Sequence, residues 1–170
     1  ATGRLTLLNQ QPSGGAGPCH VSIDPSGRCV LVANYGGGTV ASQPLDPEGR
    51  LGEPVSVIQH RGKGPNARRQ EGPHAHGITA SPDNKYALAA DLGLDQVVIY
   101  QFDAAKGVLT PNNPPYGKVP DGAGARHIVF HPNGRYLYTV NEMGSSVTTF
   151  AWDAAKGSLK PLATVSSLPA

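Results

Sequence analysis

Arg126, His127 and Glu142 fall within the stretch GAGARHIVFHPNGRYLYTVNE, residues 122–142. A carboxylate can take a proton from water, and guanidinium or imidazole donors can stabilise an oxyanion. A second stretch, QEGPHAHG, adds His74 and His76. Two apart on a strand, these imidazoles share a face and could ligate a metal with Asp91 or His127. H-x-H alone carries little specificity for a metal, and neither a metal nor another cofactor is expected. Arg126 and Glu142 could equally form a rim ion pair, which when exposed stabilises by at most about 1 kcal/mol.

Residues this far apart do chemistry only if the fold joins them, and the joining elements repeat. Three segments align on a turn proline: HVSIDPSGRCVLVANYGGGTVASQPLD, GITASPDNKYALAADLGLDQVVIYQFD and HIVFHPNGRYLYTVNEMGSSVTTFAWD. The prolines are Pro25, Pro82 and Pro132, at intervals of 57 and 50 residues. Nine residues on stand Asn34, Asp91 and Asn141; twenty on stand Leu45, Phe102 and Trp152, each followed by Asp. The ensuing DAAKGVL and DAAKGSL match almost letter for letter. Each unit reads as three apolar runs broken by a P-x-[GN]-[RK] turn and a glycine loop, then a weaker outer run. No window holds a helical apolar period. Four antiparallel strands recurring about every 50 residues describe propeller blades.

Pairing across the turn at Pro132 sets Val129 opposite Tyr138 and Phe130 opposite Leu137. Both faces are then apolar, as suits a blade packed between neighbours rather than a half-wet sheet. The same count sets Arg126 opposite Asn141, Cys19 opposite Asn34 and His76 opposite Asp91. Polar side chains thus gather where the first strand begins and the second ends, at one mouth of the channel. Asn34, Asp91 and Asn141 either hydrogen-bond turn backbones or reach a substrate. Tyr35, beside the GGG loop, either lines the mouth or packs on the next blade. His20, His60 and His131 are expected to be structural or solvated. Cys19 and Cys29 stand about five residue steps apart along a hairpin, too far for a disulfide, which fits a reducing compartment.

Composition narrows the partners. The chain has 170 residues, 22 Gly, 16 Pro and a formal net charge of +2. The densest basic patch, RGKGPNARRQ, holds none of the ten aromatics, so nucleic acid is not expected. No run of apolar residues is long enough to span a membrane as a helix. The loops GGAGP and GAGAR lead into no helix, which argues against a nucleotide site.

The stretches QEGPHAHGITASPDNKYALAADLG, GAGARHIVFHPNGRYLYTVNE and VANYGGGTV together resemble the lactonase family of seven-bladed β-propellers. That family includes cytoplasmic 6-phosphogluconolactonases and fungal 3-carboxy-cis,cis-muconate lactonizing enzymes. Trp-Asp blade endings of the WD40 kind are absent apart from Trp152-Asp153. The resemblance implies an all-β fold with about three and a half of seven four-stranded blades. Residues 1–18 would end a preceding blade, and 19–75, 76–125 and 126–170 would form three more. RLTLLNQQ would be the outer strand of the preceding blade. The missing blades would come from the rest of a parent chain or from self-association.

The resemblance also implies the activity: hydrolysis of a sugar-acid lactone, 6-phosphogluconolactone first, in the cytoplasm. A muconate-type lactonizing isomerase and a non-catalytic binding propeller are the alternatives. The implied catalytic residues are His76, Arg126 and Glu142, with His74, His127, Asn141, Asp91, Asn34 and Tyr35 as substrate-binding neighbours. One departure is Ala125, where the family usually has Pro before the Arg. A further arginine that the family contributes from a later blade has no counterpart in this chain.

Overall fold

A computed structural model describes residues 2–169. Its strands are β1 (Pro18–Ile23), β2 (Cys29–Asn34), β3 (Thr39–Pro44), β4 (Ser56–Gln59), β5 (Ala75–Ala80), β6 (Tyr86–Asp91), β7 (Gln96–Asp103), β8 (Val108–Lys118), β9 (Ala125–Phe130), β10 (Tyr136–Asn141), β11 (Ser146–Asp153) and β12 (Ser158–Ser166). They form three antiparallel sheets in which sequence neighbours are ladder neighbours: β1–β4, β5–β8 and β9–β12. No described residue is helical. The innermost strands β1, β5 and β9 lie side by side, the arrangement of consecutive propeller blades around an axis.

The central blade shows why both its faces are apolar. Along β6, Ala87 and Ala89 enter the core shared with the first blade, among Leu31, Val40, Ile78 and Tyr100. The alternate residues Leu88 and Ala90 enter the core shared with the third blade, among Val97, Leu137, Phe150 and Trp152. A period of two with no wet face requires a neighbour on each side. The end blades lack one: Val21, Ile23 and Val129 are exposed.

Residues 4–11, expected as an outer strand, form no ladder, and Leu5 and Leu7 are exposed. A lone outer strand has nothing to pair with in this chain. Residues 9–17 instead cross the first blade. Asn9 exchanges hydrogen bonds with Leu51, Gln43 donates to the Pro12 carbonyl, and Tyr35 N–H donates to the Gly17 carbonyl.

Register holds at the turn end and shifts at the mouth end. Val129 faces Tyr138 and Phe130 faces Leu137, as the turn at Pro132 dictates. The expected pairs of Arg126 with Asn141, Cys19 with Asn34 and His76 with Asp91 do not form. Ala125, Pro18 and Ala75 take those partners, and each ladder then shifts by one residue. Arg126, Cys19 and His76 are the extra residues of three equivalent β-bulges. A count based on strict alternation has no means of registering the added residue.

At the opposite end Asp24 organises the first turn. Its carboxyl accepts the backbone N–H groups of Ser26, Arg28 and Cys29, the Ser26 hydroxyl, and Asn84 Nδ2 of the next blade. Burial alone would push this carboxyl up, but the hydrogen bonds from Ser26, Asn84 and Cys29 prevail and hold its pKa at about 2. An aspartate in the unfolded chain titrates at about 3.9, so the folded value is depressed. The stabilisation is full above about pH 4 and is lost as pH falls towards 2. Asp24→Ala is therefore expected to lower the urea midpoint at neutral pH, with a gap to wild type that closes between about pH 4 and 2.

Candidate functional site

The three bulges aim their side chains at one another. A bulge re-aims the residue it adds and bends the strand. Cys19 Sγ lies 3.8 Å from His76 Nδ1. Glu142, just beyond β10, has Oε2 at 2.8 Å from Arg126 Nε and 3.8 Å from His76 Nε2. His127 follows the Arg126 bulge and sets its ring 5.2 Å from that of His76. Residues distant in sequence thus converge because three ladders break at the same point. Gly77 permits the approach of β5 to β9, since a Cβ there would lie 2.9 Å from the Arg126 carbonyl oxygen.

The loop before β9 is fixed from two sides. Glu142 N–H donates to the Gly124 carbonyl, and Met143 and Gly144 N–H groups donate to that of Ala123. From below, buried Asp95 accepts the N–H groups of Gly122 and Gly124, each at 2.7 Å. Gly124 takes a φ of +70°, where a side chain is strained and a Cβ would press on Met143. Ala125, the position of the family's proline, is buried and paired with Asn141.

Tyr35 and His74 form one wall. Their rings stack at 4.5 Å, and the Tyr35 ring meets His76 edge-on at 5.3 Å. His74 N–H donates to Asp91 Oδ1, and its Nδ1 contacts the Tyr35 carbonyl at 3.1 Å. His74 precedes β5 and a bulge falls at His76, yet both rings lie against the Tyr35 ring. Among the described residues, no three His, Cys, Asp or Glu side chains stand where they could hold a metal ion.

Asn34, Asp91 and Asn141 do not reach the mouth. All three are buried. Asn34 donates to the Ser13 carbonyl and Thr39 Oγ1, and Asn141 donates to Ser146 Oγ and Thr148 Oγ1. Asp91 Oδ2 lies 2.6 Å from His60 Nδ1, while His60 Nε2 lies 2.6 Å from the Tyr100 hydroxyl. These residues tie strands and loops beneath the rim, which their alignment could not distinguish from facing it. His60 accordingly takes a structural place.

Two residues join the site without having been anticipated. His20 sets its ring 5.5 Å from His127. Arg69 comes from the basic patch and donates from Nη2 to Glu142 Oε1 at 2.6 Å. His20 is legible as the residue after the Cys19 bulge, equivalent to His127; Arg69 lies in a loop with no counterpart in the repeat.

The charges follow from this packing. Burial pushes Glu142 up, but the Arg69 hydrogen bond and the charges of Arg69 and Arg126 outweigh it and hold the carboxyl below its ordinary range. Burial lowers His76, with Arg126 and Arg69 adding to the effect against its own backbone and Glu142. Burial and the Arg126 charge lower His127, and burial with His76 lowers His20. Near neutrality the mouth therefore holds one carboxylate between two guanidiniums, bordered by neutral imidazoles. Burial raises the Cys19 thiol, so it is not a thiolate there.

The sequence of residues 1–170 matches the family model described as lactonase, 7-bladed beta-propeller. The chain belongs to that family. Over 127 residues it is 44% identical to the 6-phosphogluconolactonase of Bacillus subtilis, a match covering 75% of this chain and 35% of that protein. The periplasmic gluconolactonase of Pseudomonas aeruginosa superposes with a TM-score of 0.90 at 33% identity, over 99% of this chain and 47% of its own. A Bacteroides fragilis protein superposes at 0.89 with 36% identity, over 96% of this chain and 47% of its own. The chain spans about half the length of these structural relatives and about a third of the Bacillus protein. This lactonase-family chain thus carries three of the blades of such a ring. No helix among its described residues is long and apolar enough to cross a membrane.

Proposed function

We propose that the ring to which this chain contributes hydrolyses a sugar-acid lactone, with 6-phosphogluconolactone the first substrate. The observation that carries the reading is the Glu142 carboxylate, held at 2.8 Å by Arg126 with His76 Nε2 at 3.8 Å. The relatives named as lactonases support the same chemistry.

In the proposed reaction Glu142 takes a proton from water as its oxygen bonds to the lactone carbonyl carbon. Arg126 uses only Nε on Glu142 among the described contacts, leaving its Nη groups for the oxyanion or for a substrate phosphate. Glu142 passes that proton to the neutral His76 ring, whose Nε2 lies 3.8 Å away, and the imidazolium so formed gives a proton to the ring oxygen as the carbon–oxygen bond breaks, restoring both groups. His127 and Tyr35 border this space and would contact the sugar. A cytoplasmic location belongs to the same proposal and draws its support from two free cysteines; the Pseudomonas relative is periplasmic.

The test is hydrolysis by the intact protein, assayed on freshly generated 6-phosphogluconolactone and on 3-carboxy-cis,cis-muconate. Lactone hydrolysis without muconate turnover is expected. Muconate lactonization alone would assign the isomerase, and turnover of neither would leave a binding propeller.

A further inference from the structure

Residues 60–74 join β4 to β5, and they bring a second arginine to the mouth by a built path. Asn66 Oδ1 accepts the N–H groups of Arg68 and Arg69 at 3.0 and 3.2 Å, closing a turn. Asn66 N–H donates to Gln70 Oε1 at 3.0 Å. Gln70 is fully buried, and its Nε2 donates to the Leu92 carbonyl and to Asp95 Oδ1, each at 2.8 Å. The same Asp95 carboxyl holds Gly122 and Gly124, just before Arg126. One buried group therefore joins the segment carrying Arg69 to the segment carrying Arg126.

The two guanidiniums meet on one carboxylate from opposite sides. Arg69 Nη2 takes Glu142 Oε1 at 2.6 Å, while Arg126 Nε takes Oε2 at 2.8 Å. With Arg126 alone, the carboxylate would keep a single tether and could turn about its last torsion. With both, its plane is fixed and Oε2 stays beside His76.

We propose that Arg69 is a positioning residue of the lactone site, acting through Glu142 to hold Oε2 between Arg126 and His76. The inference rests on the lactonase reading of the mouth. Its charge works in the same direction as its geometry, because the Arg69 hydrogen bond opposes the effect of burial and keeps Glu142 ionised to lower pH. If Arg69 served only to pack its own loop, without acting on Glu142, the pH profile would not move.

Arg69→Gln and Arg69→Lys in the intact protein test this. In Arg69→Gln the acidic limb of kcat/KM is expected to move to higher pH, with kcat falling on the order of tenfold at neutral pH and KM little changed. Arg69→Lys should restore the limb but only part of kcat, since an ammonium lacks the planar fork. A limb unmoved in Arg69→Gln overturns the proposal. A carbon-13 NMR titration of the Glu142 carboxyl gives a readout independent of turnover. An unchanged midpoint in Arg69→Gln also overturns the proposal. A raised midpoint in a protein that hydrolyses no lactone would uphold the coupling and remove the lactonase reading instead.

Discussion

Glu142→Gln is expected to lower kcat/KM for lactone hydrolysis by about 100- to 1,000-fold while leaving the fold intact. The amide keeps the shape and one acceptor oxygen, so one of Arg126 and Arg69 keeps its hydrogen bond while the other faces an NH2 group that cannot accept. It loses the charge and cannot take a proton from water at any working pH. By the tenfold-per-1.36-kcal/mol relation, the loss corresponds to about 3–4 kcal/mol of transition-state stabilisation. Stability should change by less than about 1 kcal/mol, because both arginine partners and the carboxylate are substantially exposed. Steady-state kinetics beside a thermal melt separate the two effects. A variant with the wild-type rate would show that another group takes the proton.

Asp95→Ala should have the largest effect on stability of any change near the site. Its carboxyl is buried and accepts the N–H groups of Gly122 and Gly124 and the Nε2 of Gln70. Truncation leaves three donors without an acceptor, at about 1–3 kcal/mol for each that stays unsatisfied. Asp95 also sits at a φ of +55°, a left-handed conformation that Asp and Asn tolerate better than Ala. Together these give an expected loss on the order of 4 kcal/mol in urea unfolding. Asp95→Asn keeps one oxygen and the backbone preference, so it should lose less than half as much. Both variants should also lower kcat/KM under conditions where they remain folded, because Asp95 locates the Arg69 and Arg126 loops together. Wild-type stability in Asp95→Ala would mean that the surrounding loops find other acceptors.

Sequence reading reached the blades through repetition and alternation. Val129 against Tyr138 and Phe130 against Leu137 follow from one turn and a period of two. It missed the one-residue shift at the strand starts, because a bulge leaves no mark in composition and appears only once the ladder is built. Asn34, Asp91 and Asn141 share one repeat position at the strand end, but position does not reveal that their side chains turn inward to bond loops and neighbouring strands. Arg69 was invisible for the opposite reason. It belongs to an irregular loop, with no sister copy to align and no alternation to read, and only its tie to Asp95 through Gln70 locates it.

Cysteine, histidine and arginine occupy the same bulge in three successive blades, and the ladder around each is the same. The hydrogen bonds that make a blade are therefore indifferent to which side chain the bulge presents. Each blade contributes one interchangeable peg to a common socket, on a frame that need not be rebuilt when the peg is exchanged. A lineage could rewrite the chemistry of the mouth one blade at a time, with every intermediate still a closed, folded wheel.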